Sequence, residues 1–376
     1  MTPEQSWVRV YDHPDYNLVF YPMGMAELPD NSFVILSGNK YDTINYAWPQ
    51  PYLLGVDKLG ETKWTAKVEA PYVSPVPNII SHGTGLYFFC MDQVTLGTHL
   101  LLINTSGGGP SLFKSFPDLT YPLQASQMSD GHVLLTSYDK LTRSTVVTCF
   151  DASFGILWSK KYSVIEDAKE KVIYHLTYRK QIFPFFAGQT PAGPSSYYYV
   201  NSFYNYSFSL LFLNTSTGDQ SGLVNGFRYD AAASSVIFRK DNNYMLTWYN
   251  ESQNFINTSA QFSFTSIQNI DALGGINWAE IAAGSMVKTL LTTINGKQTE
   301  IIAAETKDNQ VLLLFLDIET GTITTSKYLG STYPVKLATV IATVEGGIAV
   351  LVQTQVAGRF ARIQLFKIPP EDIAIE

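Results

Sequence analysis

The chain has 376 residues, more than one simple core usually serves, so it holds either several domains or one large repetitive fold. Lys and Arg number 25 against 32 Asp and Glu, a net charge of −7, which excludes the clustered cations of a nucleic-acid surface, and 45% hydrophobic content excludes disorder. Charged residues make up only 15%, Tyr and Phe number 23 and 22, and no apolar run approaches the ~18 residues of a membrane helix.

The first residues, Met1-Thr2-Pro3-Glu4-Gln5, carry neither the basic segment nor the apolar core of a signal peptide. Few charges with many Tyr, Asn, Ser and Thr point outside the cytoplasm. A mature domain is expected, its export signal removed and any lipid anchor lying outside the chain. Residues from about 6 to 11, around Trp7, read as a lone strand with no partner strand before it.

From Pro29 a phrase begins that recurs: a turn, a β-rich run, a second run, then Asp, a Gly turn and Trp. The first copy is PDNSFVILSGNK followed by PYLLGVDKLGETKWTAKV. The clearest starts at Ser129, SDGHVLLTSYDK and then STVVTCFDASFGILWSKKY. A later one starts at Lys240, KDNNYMLTWYNES, and resumes at IDALGGINWAEI. Each run is short, rich in β-branched and aromatic residues, and bounded by Gly, Asn, Asp or Pro, which is the strand signal. The first apolar residue after each opening turn gives seven anchors: Phe33, Leu86, Val133, Tyr197, Tyr244, Ile301 and Ile348. Seven units of about 50 residues predict a seven-bladed β-propeller of four-stranded antiparallel blades, one domain over residues 1–376.

Trp64, Trp158 and Trp278 follow the Gly turn, in the slot of a fourth, outer strand. Trp7 has the same context, WVRVY beside WSKKY. The seventh unit has only GGIAVLVQT and FARIQLFKI before a short tail at about 369–376. The N-terminal strand is therefore expected to complete the last blade and hide two sheet edges. Between the third and fourth units, Ile165–Ile173 permits at most a turn of helix. Phe183–Ser196 reads as a Pro/Gly-rich loop within blade four. Gly107–Gly109 reads as a turn between third and fourth strands, since no helix follows to bind phosphate.

The pattern DGG-like turn, β-run, β-run, D-x-x-G-x-x-x-W resembles the degenerate propeller repeats of bacterial secreted proteins and lipoproteins, which relate loosely to PQQ-like and WD40-like propellers. The copies SDGHVLLTS…FDASFGILW and PDNSFVILS…VDKLGETKW carry it. The resemblance implies a fold and a cell-envelope setting. It implies no reaction, and it transfers no catalytic residue.

Chemical signatures are sparse. Cys90 and Cys149 lie in strand-like runs and read as buried free thiols. Five N-x-Ser/Thr sequons, at Asn104, Asn205, Asn214, Asn250 and Asn257, match what an Asn-, Ser- and Thr-rich chain produces by chance. His13, His82, His99, His132 and His175 show no i, i+2 or i+4 pairing, so no metal or other cofactor is expected. Asp12, Asp15, Asp42, Asp92, Asp139, Glu251 and Glu305 fall in predicted loops. The alternative reading, a carbohydrate-active hydrolase or lyase with loop carboxylates around the central channel, would need two of them ~5–10 Å apart.

The loops joining second to third strands say more. In a propeller they gather on one face, where such folds bind. Blade one offers Tyr41, Asn45, Tyr46 and Trp48, blade three Tyr138 and Arg143, blade four Tyr204 and Tyr206, blade five Tyr249 and Asn250. Rigid aromatics beside amides suit peptides or sugars. The expectation is a non-enzymatic binding or assembly propeller of the envelope or surface, meeting a protein partner or glycan, or serving as a subunit of an envelope complex. No nucleic acid and no transmembrane segment are expected.

Overall fold

The computed structural model describes residues 6–42, 47–165, 167–179, 182–191, 196–226, 231–239, 243–251, 253–330 and 333–373. It is an all-β, seven-bladed propeller of four-stranded antiparallel blades. The chain divides into two compact units: residues 1–69, 104–109 and 279–376, and residues 70–103 with 110–278.

The first unit contains blades 1, 6 and 7. Blade 1 runs Leu18–Glu27, Phe33–Tyr41, Gln50–Val56 and Thr62–Lys67. Blade 6 runs Val287–Ile294, Lys297–Glu305, Val311–Asp317 and Ile323–Leu329. Blade 7 runs Val335–Ala342, Ile348–Val356 and Phe360–Ile368, and its fourth strand is Trp7–Tyr11, antiparallel to the third in the register Trp7↔Lys367. The N-terminal strand completes the last blade as the truncated seventh repeat predicts.

The second unit contains blades 2 to 5. In blade 2 the first strand is broken into Tyr72–Val73 and Ile80–His82, both paired with Gly85–Asp92; Gly97–Leu102 and Ser111–Thr120 follow. Blade 3 is regular: Pro122–Gln127, Val133–Asp139, Ser144–Phe150, Ile156–Ser163. Blade 4 comprises Phe186–Gln189, Tyr197–Tyr204, Ser207–Asn214 and Gln220–Asn225, extended by the short parallel strand Ile267–Asn269. Blade 5 comprises Ala232–Phe238, Tyr244–Asn250, Gln253–Ala260 and Ile276–Asn277. Trp278 stands just past this last strand, its amide donating to Asn254 O at 2.7 Å.

The core explains the strand composition. Each cluster of buried side chains is drawn from two consecutive blades, as where Phe33, Ile35 and Val56 of blade 1 meet Leu351, Ile363 and Leu365 of blade 7. Val133 and Leu135 pack toward blade 2, whereas Leu134 between them packs toward blade 4. A second strand buried on both faces opens on an unbroken apolar run, hence FVIL, VLL and IAVLV. Fourth strands alternate exposed and buried residues instead, as in Thr62–Lys67.

Three expectations need correction. The Ile301 anchor lies in the middle of a strand that begins at Lys297. Asn295 and Gly296, with φ of 50° and 80°, form the two-residue hairpin there, and the polar start of the strand read as turn. Within Phe183–Ser196, residues Phe186–Gln189 are the first strand of blade 4, paired with Tyr198–Asn201. The expected single turn between blades 3 and 4 is an eight-residue helix, Lys169–Leu176, which buries Val172, His175 and Leu176. Tertiary burial of that face carries a helix too short to stand alone. Cys90 and Cys149 are free and buried, and burial pushes the Cys149 thiol up to about 11.

The recurring Trp acts between repeats. Trp7 of blade 7 donates its indole N–H to Lys58 O in the third-to-fourth turn of blade 1, at 3.2 Å. Trp64 does the same to Thr105 O at 3.1 Å, and Trp158 of blade 3 to Thr215 O of blade 4 at 2.9 Å. Each indole lies on the glycine of that turn, Gly60, Gly107 or Gly218, all with positive φ. A methyl on Gly218 would stand 2.5 Å from Trp158 Cε3. Two copies carry further contacts. Tyr11 donates to Gly60 O at 3.1 Å, and Arg9 pairs with Glu61 at 3.0 Å. In the same places Tyr162 donates to Gly218 O, and Lys160 pairs with Asp219 at 2.8 Å. These are the shared positions of WVRVY and WSKKY. The ion pairs are surface-exposed and contribute little; the indole and its glycine bear the load.

Candidate functional site

The second-to-third turns of blades 2 and 3 share one construction. Asp92 Oδ1 accepts the amides of Val94 and Thr95 at 2.8 and 2.7 Å. Asp139 Oδ1 accepts those of Leu141 and Thr142 at 2.8 and 3.2 Å. Each turn closes on a residue with positive φ, Leu96 at 66° and Arg143 at 50°. The carbonyl of that residue takes the first amide beyond the same blade's fourth strand, Tyr121 at 3.0 Å and Val164 at 2.8 Å. So fixed, the turns hold out their tips: Val94 is 82% exposed and Leu141 88%.

Blade 4 adjoins this arrangement. Its turn residue Asn205 donates to Ser163 O at 2.9 Å and accepts the Ile165 amide at 3.0 Å. Ile165, 49% exposed, and Tyr206, 60% exposed, thereby stand on neighbouring residues of one bonded ladder, with exposed Arg143 on the other side of Val164. Val94, Leu141, Ile165 and Tyr206 thus present apolar side chains to solvent from turns fixed by backbone and carboxylate bonds. Preorganisation of this kind lowers the ordering cost of association.

The Asp139 carboxylate organises the Leu141 turn. Burial alone would raise its pKa, but the Lys161 ammonium at 2.7 Å, the Thr142 hydroxyl and the two turn amides outweigh it and pull the carboxyl down to about 2. A carboxyl lowered in the folded state stabilises above its unfolded value near 3.9 and loses that contribution as pH falls through its folded value. The contribution is about 2 kcal/mol. Asp139→Asn should therefore cost about that much at pH 7 and progressively less from about pH 4 to pH 2, as urea unfolding of the two proteins side by side would measure.

The residues expected at the binding face separate into groups. Tyr138, Arg143, Tyr204 and Tyr206 come together at the adjoining ends of blades 3 and 4. Of these, Tyr138 is fully buried: its hydroxyl donates to Asp167 Oδ1 at 3.1 Å, and burial pushes it up to about 12. It braces the start of the helix and offers no surface. Tyr204 is half-buried, its ring edge-on to Tyr162. Tyr249 and Asn250 end the second strand of blade 5, and Asn250 Nδ2 reaches Asp271 at 3.5 Å. Tyr41, exposed, and Trp48, half-buried, belong to the first unit. Asn45 and Tyr46 lie outside the described residues. Val94, Leu141 and Ile165 were not anticipated, although the parallel phrases DQVT and DKLT stand in the sequence.

The acids considered for catalysis are engaged in structure where bonds are seen. Asp12 bonds Arg362, and Asp92 bonds His99 at 3.2 Å as well as its turn. Glu305, pushed up to about 7 by burial, accepts the Leu337 amide at 2.8 Å. Among the described residues no group of three or more His, Cys, Asp and Glu is placed to hold a metal ion. No described helix is long and apolar enough to cross a membrane.

No protein-family model matches the sequence, and no curated protein matches it. Solved structures do. Raptor from Chaetomium thermophilum aligns with a TM-score of 0.50 and 8% identity, over 94% of this chain and 29% of that longer one. The β-propeller domain of the Trilobed protease from Pyrococcus furiosus aligns at 0.49 and 8%, over 94% and 95%. YCF48 from Cyanidioschyzon merolae aligns at 0.47 and 10%, over 97% and 99%. At such identities the similarity concerns the propeller fold alone.

Proposed function

We propose that this chain is a non-enzymatic binding propeller that holds a protein partner on the second-to-third turns of blades 2, 3 and 4. The observation that carries the reading is the pair of Asp-pinned turns that hold Val94 and Leu141 almost wholly in solvent. Tyr206 supplies the aromatic, and Arg143 the guanidinium, that protein interfaces favour as anchors. The low charge content and abundant Tyr and Asn support a place outside the cytoplasm, at the envelope or cell surface.

The test is a Leu141→Ser, Tyr206→Ser double variant, assayed by quantitative pull-down of the partner from the native source. Loss of two central anchors should weaken capture roughly 30-fold or more. Both side chains are exposed, so the melting temperature should stay within about 2 °C of wild type. Unchanged capture by a folded double variant would refute the assignment of this surface.

A further inference from the structure

The first unit contains a cleft of about 230 Å³ between the closing strand Trp7–Tyr11, with the residues just beyond it, and the third and fourth strands of blade 1. Its origin can be read by comparing two equivalent blade contacts. In blade 4, Leu223 pairs with Leu211, is 2% exposed, and packs with Tyr162 of the preceding blade. In blade 1 the same position, paired with Leu54, is Thr65, which is exposed. A leucine fills the gap in one place; a threonine leaves it open in the other.

The lining has a definite chemistry. Tyr11 and Tyr52 contribute aromatic rings, with the buried Phe20 behind them, and Thr65 a hydroxyl that is hydrogen-bonded to Tyr52. The charges present are balanced: Glu61 pairs with Arg9 at 3.0 Å, and Asp12 with Arg362 at 2.7 Å. A net ionic ligand would have to break one of those pairs. His13 Nδ1 accepts the Asp15 amide at 3.1 Å, so in the neutral ring Nε2 carries the proton and is the donor. Aromatic rings, carboxylate acceptors and neutral donors in a space of this size fit a compact polyhydroxyl molecule.

We propose that this cleft is a binding site for a neutral monosaccharide-sized polyol, a pyranoside ring lying on the aromatic side chains with its hydroxyls bonded to Thr65 and the flanking polar groups. The site is independent of the surface assigned to the protein partner, and neither depends on the other.

The experiment uses the full chain with methyl glycosides of glucose, galactose, mannose and N-acetylglucosamine, followed by saturation-transfer NMR and calorimetric titration. At least one pyranoside should bind with a Kd of about 1 mM or tighter, as a ligand of this size allows. Thr65→Leu, copying the leucine of blade 4, should fold with equal or higher melting temperature and weaken that binding at least tenfold. Tyr52→Phe, which keeps the ring, should weaken it less. Absence of binding by every glycoside up to roughly 50 mM would overturn the proposal, as would binding that Thr65→Leu leaves intact.

Discussion

An Arg362→Met variant is expected to unfold in far less urea than the wild type, losing about 3–5 kcal/mol of stability. Arg362 lies in the third strand of blade 7 and is completely buried. A guanidinium has five N–H donors, and all five are used here. Nε reaches Asp12 Oδ1 at 2.7 Å; Nη1 reaches Leu18 O at 2.8 Å and Ala361 O at 3.1 Å; Nη2 reaches His13 O at 3.1 Å and Asp15 O at 3.3 Å. The segment so held carries the chain from the closing strand into blade 1, and the rings of Tyr16 and Phe20 lie within 6 Å of the cation. Methionine keeps the volume and removes every donor, so several carbonyls and one carboxylate lose their partner together. Lysine, with three donors on a point charge, should restore only part of the loss. The Asp12 carboxyl is held below the usual range chiefly by its bond to Arg362, with the His13 amide next. That share of the clasp is present above about pH 4 and lost as pH falls further, so the gap between wild type and Arg362→Met should narrow in acid. A cost under about 1 kcal/mol at pH 7 would mean that water replaces the guanidinium at no loss, and the clasp would be refuted.

Much of this architecture is legible in the sequence because a twice-covered strand opens on a run of consecutive apolar residues. Phe33, Val133, Tyr197, Tyr244 and Ile348 each begin a second strand, and Leu86 follows the first residue of one. Ile301 failed as an anchor because the polar start of its strand, Lys297–Glu300, hid the hairpin that Asn295-Gly296 announces. Arg362 and Lys367 escaped notice for a related reason: a cation inside FARIQLFKI reads as a solvent-facing position, yet both are buried and paired, Lys367 with Glu345. The turns on which the partner surface is proposed were legible only in part. The second-to-third turns of blades 3 and 4 stand where the repeat puts them, whereas the blade 2 turn went unread and the aliphatic tips of DQVT and DKLT carry no aromatic signal. Whether a tyrosine at a strand end points out, like Tyr206, or in, like Tyr138, is decided by the neighbouring blade, which no local pattern encodes.

The D-x-x-G-x-x-x-W phrase shows the same limit and yields the second large effect. Its Gly and Trp sit in one repeat and look like partners, but Trp7, Trp64 and Trp158 each meet the turn glycine of the next blade, Gly60, Gly107 or Gly218, and the last two stand in turns without the phrase's leading Asp or its Trp. Gly218→Ala should therefore cost about 2–4 kcal/mol: about 1–2 for an alanine at φ 72°, and the remainder because the new methyl displaces the Trp158 indole and its bond to Thr215 O. Gly131→Ala separates these parts. Gly131 has φ 87° and nothing within 4 Å of an added Cβ, so it bears backbone strain alone. Trp158→Ala by itself should cost about 3–5 kcal/mol. With the indole gone, Gly218 has much less to clash with, and the second substitution should then cost no more than Gly131→Ala does. The double variant should thus fall short of the summed single losses by at least about 1 kcal/mol in a urea-unfolding cycle. Strict additivity, with Gly218→Ala no worse than Gly131→Ala, would show that blades 3 and 4 are held by their apolar core and owe nothing to this interlock.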